Sequence, residues 1–264
     1  MSNHQETIIA FTRLQRSFHN HLLHFMVFFI ITGLPLLSTS FSFLGWLFAI
    51  PFDFLGGVFP DLATSGIADN ERLAIGLQVA RVIHRITALF FVIMAIPFVV
   101  VQLSHIRNWA IWPEDSWSLV AFFDGIKGLW VNYISLGHVR IGKFNVGQKL
   151  FAWTMIVAIT AITASGFILM FRDLFSQGTQ ELSRLVHAAS FVIIGVFLIV
   201  HLYLSLLPMN RQSLNAMFED GRLPIDYVKS HHQIWYEKLT GKSAEPPSTD
   251  KKEQESIEGE LTNC

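Results

Sequence analysis

His187 and His201 lie fourteen residues apart inside an uncharged run from Leu185 to Leu207. On an α-helix, fourteen residues rise about 21 Å and return to nearly the same face. A membrane-crossing helix that carries them presents one imidazole toward each side of a hydrocarbon core about 30 Å thick. Imidazole is an axial ligand of haem iron. Two of them stacked on one helix imply two haems and an electron path across a membrane. The plainer account makes them hydrogen-bonded histidines of a helix bundle, but ionisable groups at such depth are expensive and generally functional.

Composition agrees with a membrane setting. The chain has 264 residues, 52% hydrophobic and 15% charged, which is less charge than an ordinary soluble domain carries. The net charge of -1 gives no basis for nucleic-acid binding. The single cysteine, Cys264, excludes an internal disulfide, a Cys-ligated iron–sulfur cluster and a C-x-x-C-H haem attachment on this chain. Any haem must be held by histidine, and any iron–sulfur relay must come from a partner.

The elements that would position these histidines follow from apolar run length. Four spans are expected, at roughly 17–37, 73–104, 150–171 and 182–207. The first is expected to be a retained helix rather than a cleaved signal. Pro97 is a candidate kink in the second. A fifth apolar stretch, 41–60, contains Pro51, Asp53 and Gly56-Gly57, and reads better as a short surface helix than as a broken span. Charge supports four. Residues 38–71 hold Asp53, Asp61, Asp69 and Glu71 but no Lys or Arg. The 104–149 connection holds Arg107, Lys127, Arg140, Lys143 and Lys149, and the tail holds Arg211, Arg222, Lys229, Lys238 and Lys242. The positive-inside rule then puts both termini and the 104–149 connection in the cytoplasm. The expected fold is all-α, an integral membrane four-helix bundle. It comprises an N-terminal segment (1–16), the membrane domain (17–208, with an outer loop 38–72 and a cytoplasmic loop 105–149), a tail segment (209–242) and a disordered end (243–264).

Four spans fix the depth of each histidine. His84 and His187 fall on the outer side, and His19 and His201 on the inner side. Each pair joins two different helices, as a bis-histidine haem requires. Arg16, Arg81 and Arg184 each precede a ligand by three residues, on the same helix face and one turn nearer the surface. Arg offers paired planar donors to a carboxylate, so these three are candidates for the haem propionates; the plainer account is that they snorkel at helix ends. His21 and His24 face away from His19. His4, His105, His138, His231 and His232 are expected to be solvated or interfacial.

Two segments carry more than haem-helix spacing: Lys143-Phe-Asn-Val-Gly-Gln-Lys149 and His231-His-Gln-Ile-Trp-Tyr236. With the Arg-x-x-His pairs, Gly33 and His201-Leu-Tyr203, they make the chain resemble the gamma subunit of membrane-bound formate dehydrogenases, a di-haem cytochrome b, over residues from about 10 to 240. The resemblance implies two haem b groups, on His84 with His187 and on His19 with His201. It implies a menaquinone or ubiquinone site at Asn145, Gly147, Gln148 and His201. Asn and Gln amides can bond a quinone oxygen, and Gly147 allows close approach to the backbone; the plainer account of this loop is a helix cap. It also implies an iron–sulfur (beta) partner and a molybdenum or tungsten catalytic (alpha) partner, in a bacterial or archaeal cytoplasmic membrane. The stretch from Phe41 to Phe54 makes the outer loop longer than that family leads one to expect. The expected function is electron transfer from the partner's clusters across the membrane to quinone, with primary substrate oxidation on another chain. The alternatives are a cytochrome b serving a hydrogenase or a quinol-oxidising reductase, and a haem-free transporter with a His and Arg proton relay.

Overall fold

The structure is a computed structural model that describes residues 6–56, 67–112, 119–135 and 139–244. His4, Asp61, His138, Cys264 and the expected disordered end beyond Ala244 lie outside the described residues. The chain is mostly helical. In order, the helices are α1 (Arg13–Leu37), α2 (Trp46–Gly56), α3 (Asp69–Ser104), α4 (Leu119–Tyr133), α5 (Val146–Met170), α6 (Gln177–Ser205), α7 (Arg211–Phe218), α8 (Ile225–His231) and α9 (Gln233–Thr240). Two short strands join them, β1 (Thr7–Ile9) and β2 (Arg222–Pro224). Four helices, α1, α3, α5 and α6, are long and apolar enough to cross a membrane.

The chain divides into two compact units, one of Thr12–Ile106 with Ile162–Ala189, the other of Met1–Phe11, Arg107–Ala161 and Ser190–Cys264. In the first, α1 opens with a capping box. Thr12 Oγ1 accepts from Gln15 N–H, and Gln15 Oε1 accepts from Thr12 N–H, which satisfies two amides that a helix start leaves without partners. α3 begins with Asp69 and Glu71 in its first turn, where the helix dipole favours negative charge. It runs unbroken past Pro97 to Ser104. α1 and α3 pack antiparallel through an aromatic seam. Phe18 stacks on Phe98 with ring centroids 3.8 Å apart, Phe25 meets Phe91 at 5.7 Å, and Thr32 meets His84 through a 2.9 Å hydrogen bond. Each seven-residue step along α1 is matched by seven residues back along α3, the repeat that keeps a helix–helix seam in register.

Among the described residues, the apolar stretch after α1 forms no helix long enough to cross a membrane. A 3-10 turn (Thr39–Gly45) leads into α2, whose 11 residues reach about 16 Å, half of a hydrocarbon core. It lies along the start of α3, where backbone meets backbone. A Cβ on Gly76 would stand 2.0 Å from the Gly45 carbonyl oxygen.

In the second unit both ends of the described chain fold together. β1 pairs antiparallel with β2, Ile8 opposite Leu223. Ala10, Ala216, Leu223, Tyr227, Val228, Tyr236 and Ala244 form a small core beneath the pair. Gly221 makes the turn into β2 with φ of 82°, a conformation that glycine adopts at little cost. Here α4 rests on the first turn of α5, with Gly125 against Val146.

The Gly45–Gly76 contact gives a test of the extra loop. Gly76→Ala forces the 39–56 segment off α3 and costs about 1–3 kcal/mol, as overpacking does. Purified protein should melt at lower temperature, and hydrogen exchange should rise across 39–56. Unchanged exchange there would refute this packing.

Candidate functional site

Two imidazoles face each other in the first unit. His84 of α3 and His187 of α6 have ring centroids 6.3 Å apart and planes at 69°. Two rings that bind one metal from opposite sides, through bonds of about 2 Å, have centroids roughly 6 Å apart. Among the described residues no three His, Cys, Asp or Glu side chains converge. The pair is thus a two-ligand arrangement, which suits an ion whose remaining ligands come from a planar macrocycle.

Each ring is oriented by the helix behind it. His84 Nδ1 lies 2.9 Å from Thr32 Oγ1, and Thr32 Oγ1 gives its own proton to Phe28 O at 2.6 Å. The hydroxyl can then only accept from the ring, so Nδ1 carries the hydrogen and the Nε2 lone pair is left for a metal. His187 has the same arrangement on α5. Its Nδ1 lies 3.0 Å from Ile162 O and 3.2 Å from Ser165 Oγ, and Ser165 Oγ donates to Ile162 O. A carbonyl only accepts, so this Nδ1 is also the protonated nitrogen. A glycine follows each hydroxyl residue and makes room for the ring. A Cβ on Gly33 would stand 3.3 Å from His84 Cε1, and one on Gly166 would stand 3.1 Å from His187 Cε1. Thr32 is 1% exposed and Ser165 3%. A ligand histidine held through its second nitrogen is the usual design of a metal site.

The remaining expected ligands divide between the units. His19 lies half-buried on α1 in the first unit, almost four turns from Thr32 and so about 20 Å along the helix axis. His201 belongs to the second unit and stacks on Phe151 with centroids 4.9 Å apart and planes 13° from parallel. Of the three arginines, Arg81 is exposed and donates to Gln78 Oε1 at 2.5 Å. Arg184 is exposed and Arg16 half-buried.

The 143–148 loop is the start of α5, and its polar side chains close a second capping box. Asn145 Oδ1 accepts from Gln148 N–H and Gln148 Oε1 accepts from Asn145 N–H, both at 2.9 Å. Each oxygen thus accepts a backbone N–H at the helix start. Gly147 turns its bare face to Leu129 of α4, where a Cβ would stand 3.1 Å from Leu129 Cδ1. The glycine serves this helix contact.

His232, expected to be solvated or interfacial, meets this loop. His232 is 9% exposed, and its Nδ1 donates to Gly142 O at 3.0 Å. Burial holds its pKa below the ordinary histidine value, against the opposing effect of that hydrogen bond. Lys143 Nζ donates to Ala10 O at 2.6 Å and stands 5.2 Å from the Trp235 ring centre and 5.6 Å from those of Phe11 and Phe144. Burial lowers its pKa too. The joint presence of a K-F-N-x-G-Q-K and an H-H-x-x-W-Y segment was the signal available for this contact. His231, in contrast, is exposed and stacks on Tyr227.

Known proteins resemble this arrangement in sequence. The chain is 24% identical over 247 residues to the formate dehydrogenase cytochrome b556(fdo) subunit of Escherichia coli (strain K12), covering 91% of this chain and 99% of that subunit. It is 28% identical over 111 residues to the nitrate-inducible formate dehydrogenase cytochrome b556(Fdn) subunit of the same strain, 41% of this chain. That match spans 50% of the Fdn subunit, about half the relative's length. A formate dehydrogenase cytochrome b556 subunit of Haemophilus influenzae is 30% identical over 98 residues, 36% of this chain and 40% of that one. The family described as prokaryotic cytochrome b561 matches residues 10–220, most of the chain, and the protein belongs to that family.

Proposed function

We propose that this chain is the di-haem, quinone-reactive cytochrome b subunit of a respiratory oxidoreductase of the formate dehydrogenase type. One observation supports the reading: the His84 and His187 ring centroids lie 6.3 Å apart, and each Nδ1 is hydrogen-bonded to a neighbouring helix. Haem iron, when bound, supplies reversible one-electron transfer. The residues do the rest. His84 and His187 hold the outer group, and His19 and His201 the inner one. Arg16, Arg81 and Arg184 take the propionates, because a guanidinium near the surface neutralises a carboxylate at modest desolvation cost. Asn145, Gly147, Gln148 and His201 border the quinone, with amide NH2 groups as donors to its oxygens.

The charge distribution supports a cytoplasmic position for both termini and for the 105–149 connection, in a bacterial or archaeal cytoplasmic membrane that the chain crosses four times. An iron–sulfur subunit docks outside and delivers electrons on the His84 side, and a molybdenum or tungsten subunit carries out the primary oxidation. The b556 subunits that the chain resembles belong to formate dehydrogenases, which makes formate the leading donor. Reduction of quinone near His201 takes protons from the cytoplasm and adds to the proton-motive force.

A reduced-minus-oxidised spectrum of purified protein should show a b-type signal, with about two haems per chain by pyridine haemochrome. His84→Ala or His187→Ala should leave about one. Absence of a b-type signal would sink the reading in favour of a haem-free transporter, and retention of both haems in these variants would break the pairing. Thr32→Val should keep haem but remove the acceptor for His84 Nδ1–H. The imidazole becomes a poorer donor to the ferric state, so one midpoint potential should rise by about tens of millivolts in a redox titration. A fall would contradict the assigned tautomer.

A further inference from the structure

We propose that the segment after β1 and the 232–237 tail segment form a clamp that sets the shape of the quinone-facing loop, with His232 and Lys143 as its positioning residues. This rests on the quinone reading given above. Three consecutive loop residues are fastened by partners distant in sequence. Ile141 O accepts from Ile234 N–H at 3.2 Å, Gly142 O accepts from His232 Nδ1, and Lys143 Nζ donates to Ala10 O. The aromatic rings of Phe11, Phe144 and Trp235 close around the Lys143 ammonium. On one flank, Arg140 pairs with Glu237 at 2.5 Å. On the other, two residues past Lys143, stands Asn145, the amide that caps α5 and faces Gln148.

Irregular backbone ahead of a helix has carbonyls that must find partners. Here the tail supplies them, and Ala10, just after β1, supplies a carbonyl to the lysine. A cation in such a place has no advantage in packing over an apolar side chain. Its desolvation is offset only where the hydrogen bond and the ring faces lie in one geometry. Buried polar groups of this kind specify position more than they add stability. The position they specify is that of Gly142 and Lys143, and through two peptide units that of the Asn145 amide. A clamp of this sort changes how well the loop receives a quinone, while the haem ligands on α1, α3 and α6 are untouched.

The experiment uses the full haem-loaded chain in membranes and follows haem reduction by menadiol, a soluble naphthoquinol. His232→Leu should raise KM for menadiol about tenfold, with the limiting rate and haem content unchanged. His232→Gln, whose amide can still donate to Gly142 O, should restore KM to within about twofold. Lys143→Met should raise KM in the same direction, and its effect combined with Asn145→Ala should be less than the product of the two. An unchanged KM in His232→Leu, or no rescue by His232→Gln, would overturn the proposal. So would failure of both His232→Leu and Lys143→Met to accumulate with haem, because these residues would then serve folding rather than the loop. A wild-type chain that shows no b-type signal, or whose haem menadiol cannot reduce at any concentration, would refute the underlying function instead.

Discussion

A helix in hydrocarbon must satisfy its backbone hydrogen bonds internally. Any chemistry on such a helix is therefore done by side chains, and those side chains must find polar partners where no water reaches. Thr32 and Ser165 meet this constraint. Each hydroxyl gives its proton to a carbonyl of its own helix and presents a lone pair to an imidazole on the next one. That single direction of donation fixes the histidine tautomer and leaves the opposite nitrogen available for a metal. If Thr32 bonded elsewhere, His84 could turn over and the facing pair would be lost.

The two arrangements are alike in detail, although they come from different parts of the chain. Thr32-Gly33 on α1 stands behind His84, and Ser165-Gly166 on α5 stands behind His187. The hydroxyl supplies direction and the glycine supplies room, and a Cβ at either glycine would crowd the ring. Close packing leaves such a ring few alternative positions. The two rings are thus held in place by the protein alone, which in the proposed function lowers the ordering cost of metal binding.

Much of this was visible in the sequence, but unevenly. The four long apolar helices could be read because hydropathy is a long-range pattern, and the structure brings the His84 and His187 rings near each other. The hydroxyl–glycine supports could not be read, because Thr32 and Ser165 look like ordinary small residues until their facing helices are known. The fold of the termini was also hidden. Strands of three residues have no measurable periodicity, and a buried His232 looks the same in sequence as the exposed His231 beside it. The 143–148 loop supported two accounts, a cap and a quinone contact. The structure displays the cap, with both amide oxygens engaged.

Those two accounts are compatible, and together they narrow the chemistry. The capping box engages the oxygens of Asn145 and Gln148 with backbone N–H groups, and in the proposed function their amides donate to the quinone. Donors suit a quinone, whose oxygens only accept, better than a quinol, whose hydroxyls also need an acceptor. In the proposed function, a proton released by a quinol would need an acceptor. His201 carries a ring nitrogen that can serve only while no metal occupies it. Iron ligation and proton acceptance through the same nitrogen exclude each other. In the proposed function, His201 therefore borders the quinone through its ring edge, and the proton reaches the product through water at the cytoplasmic face.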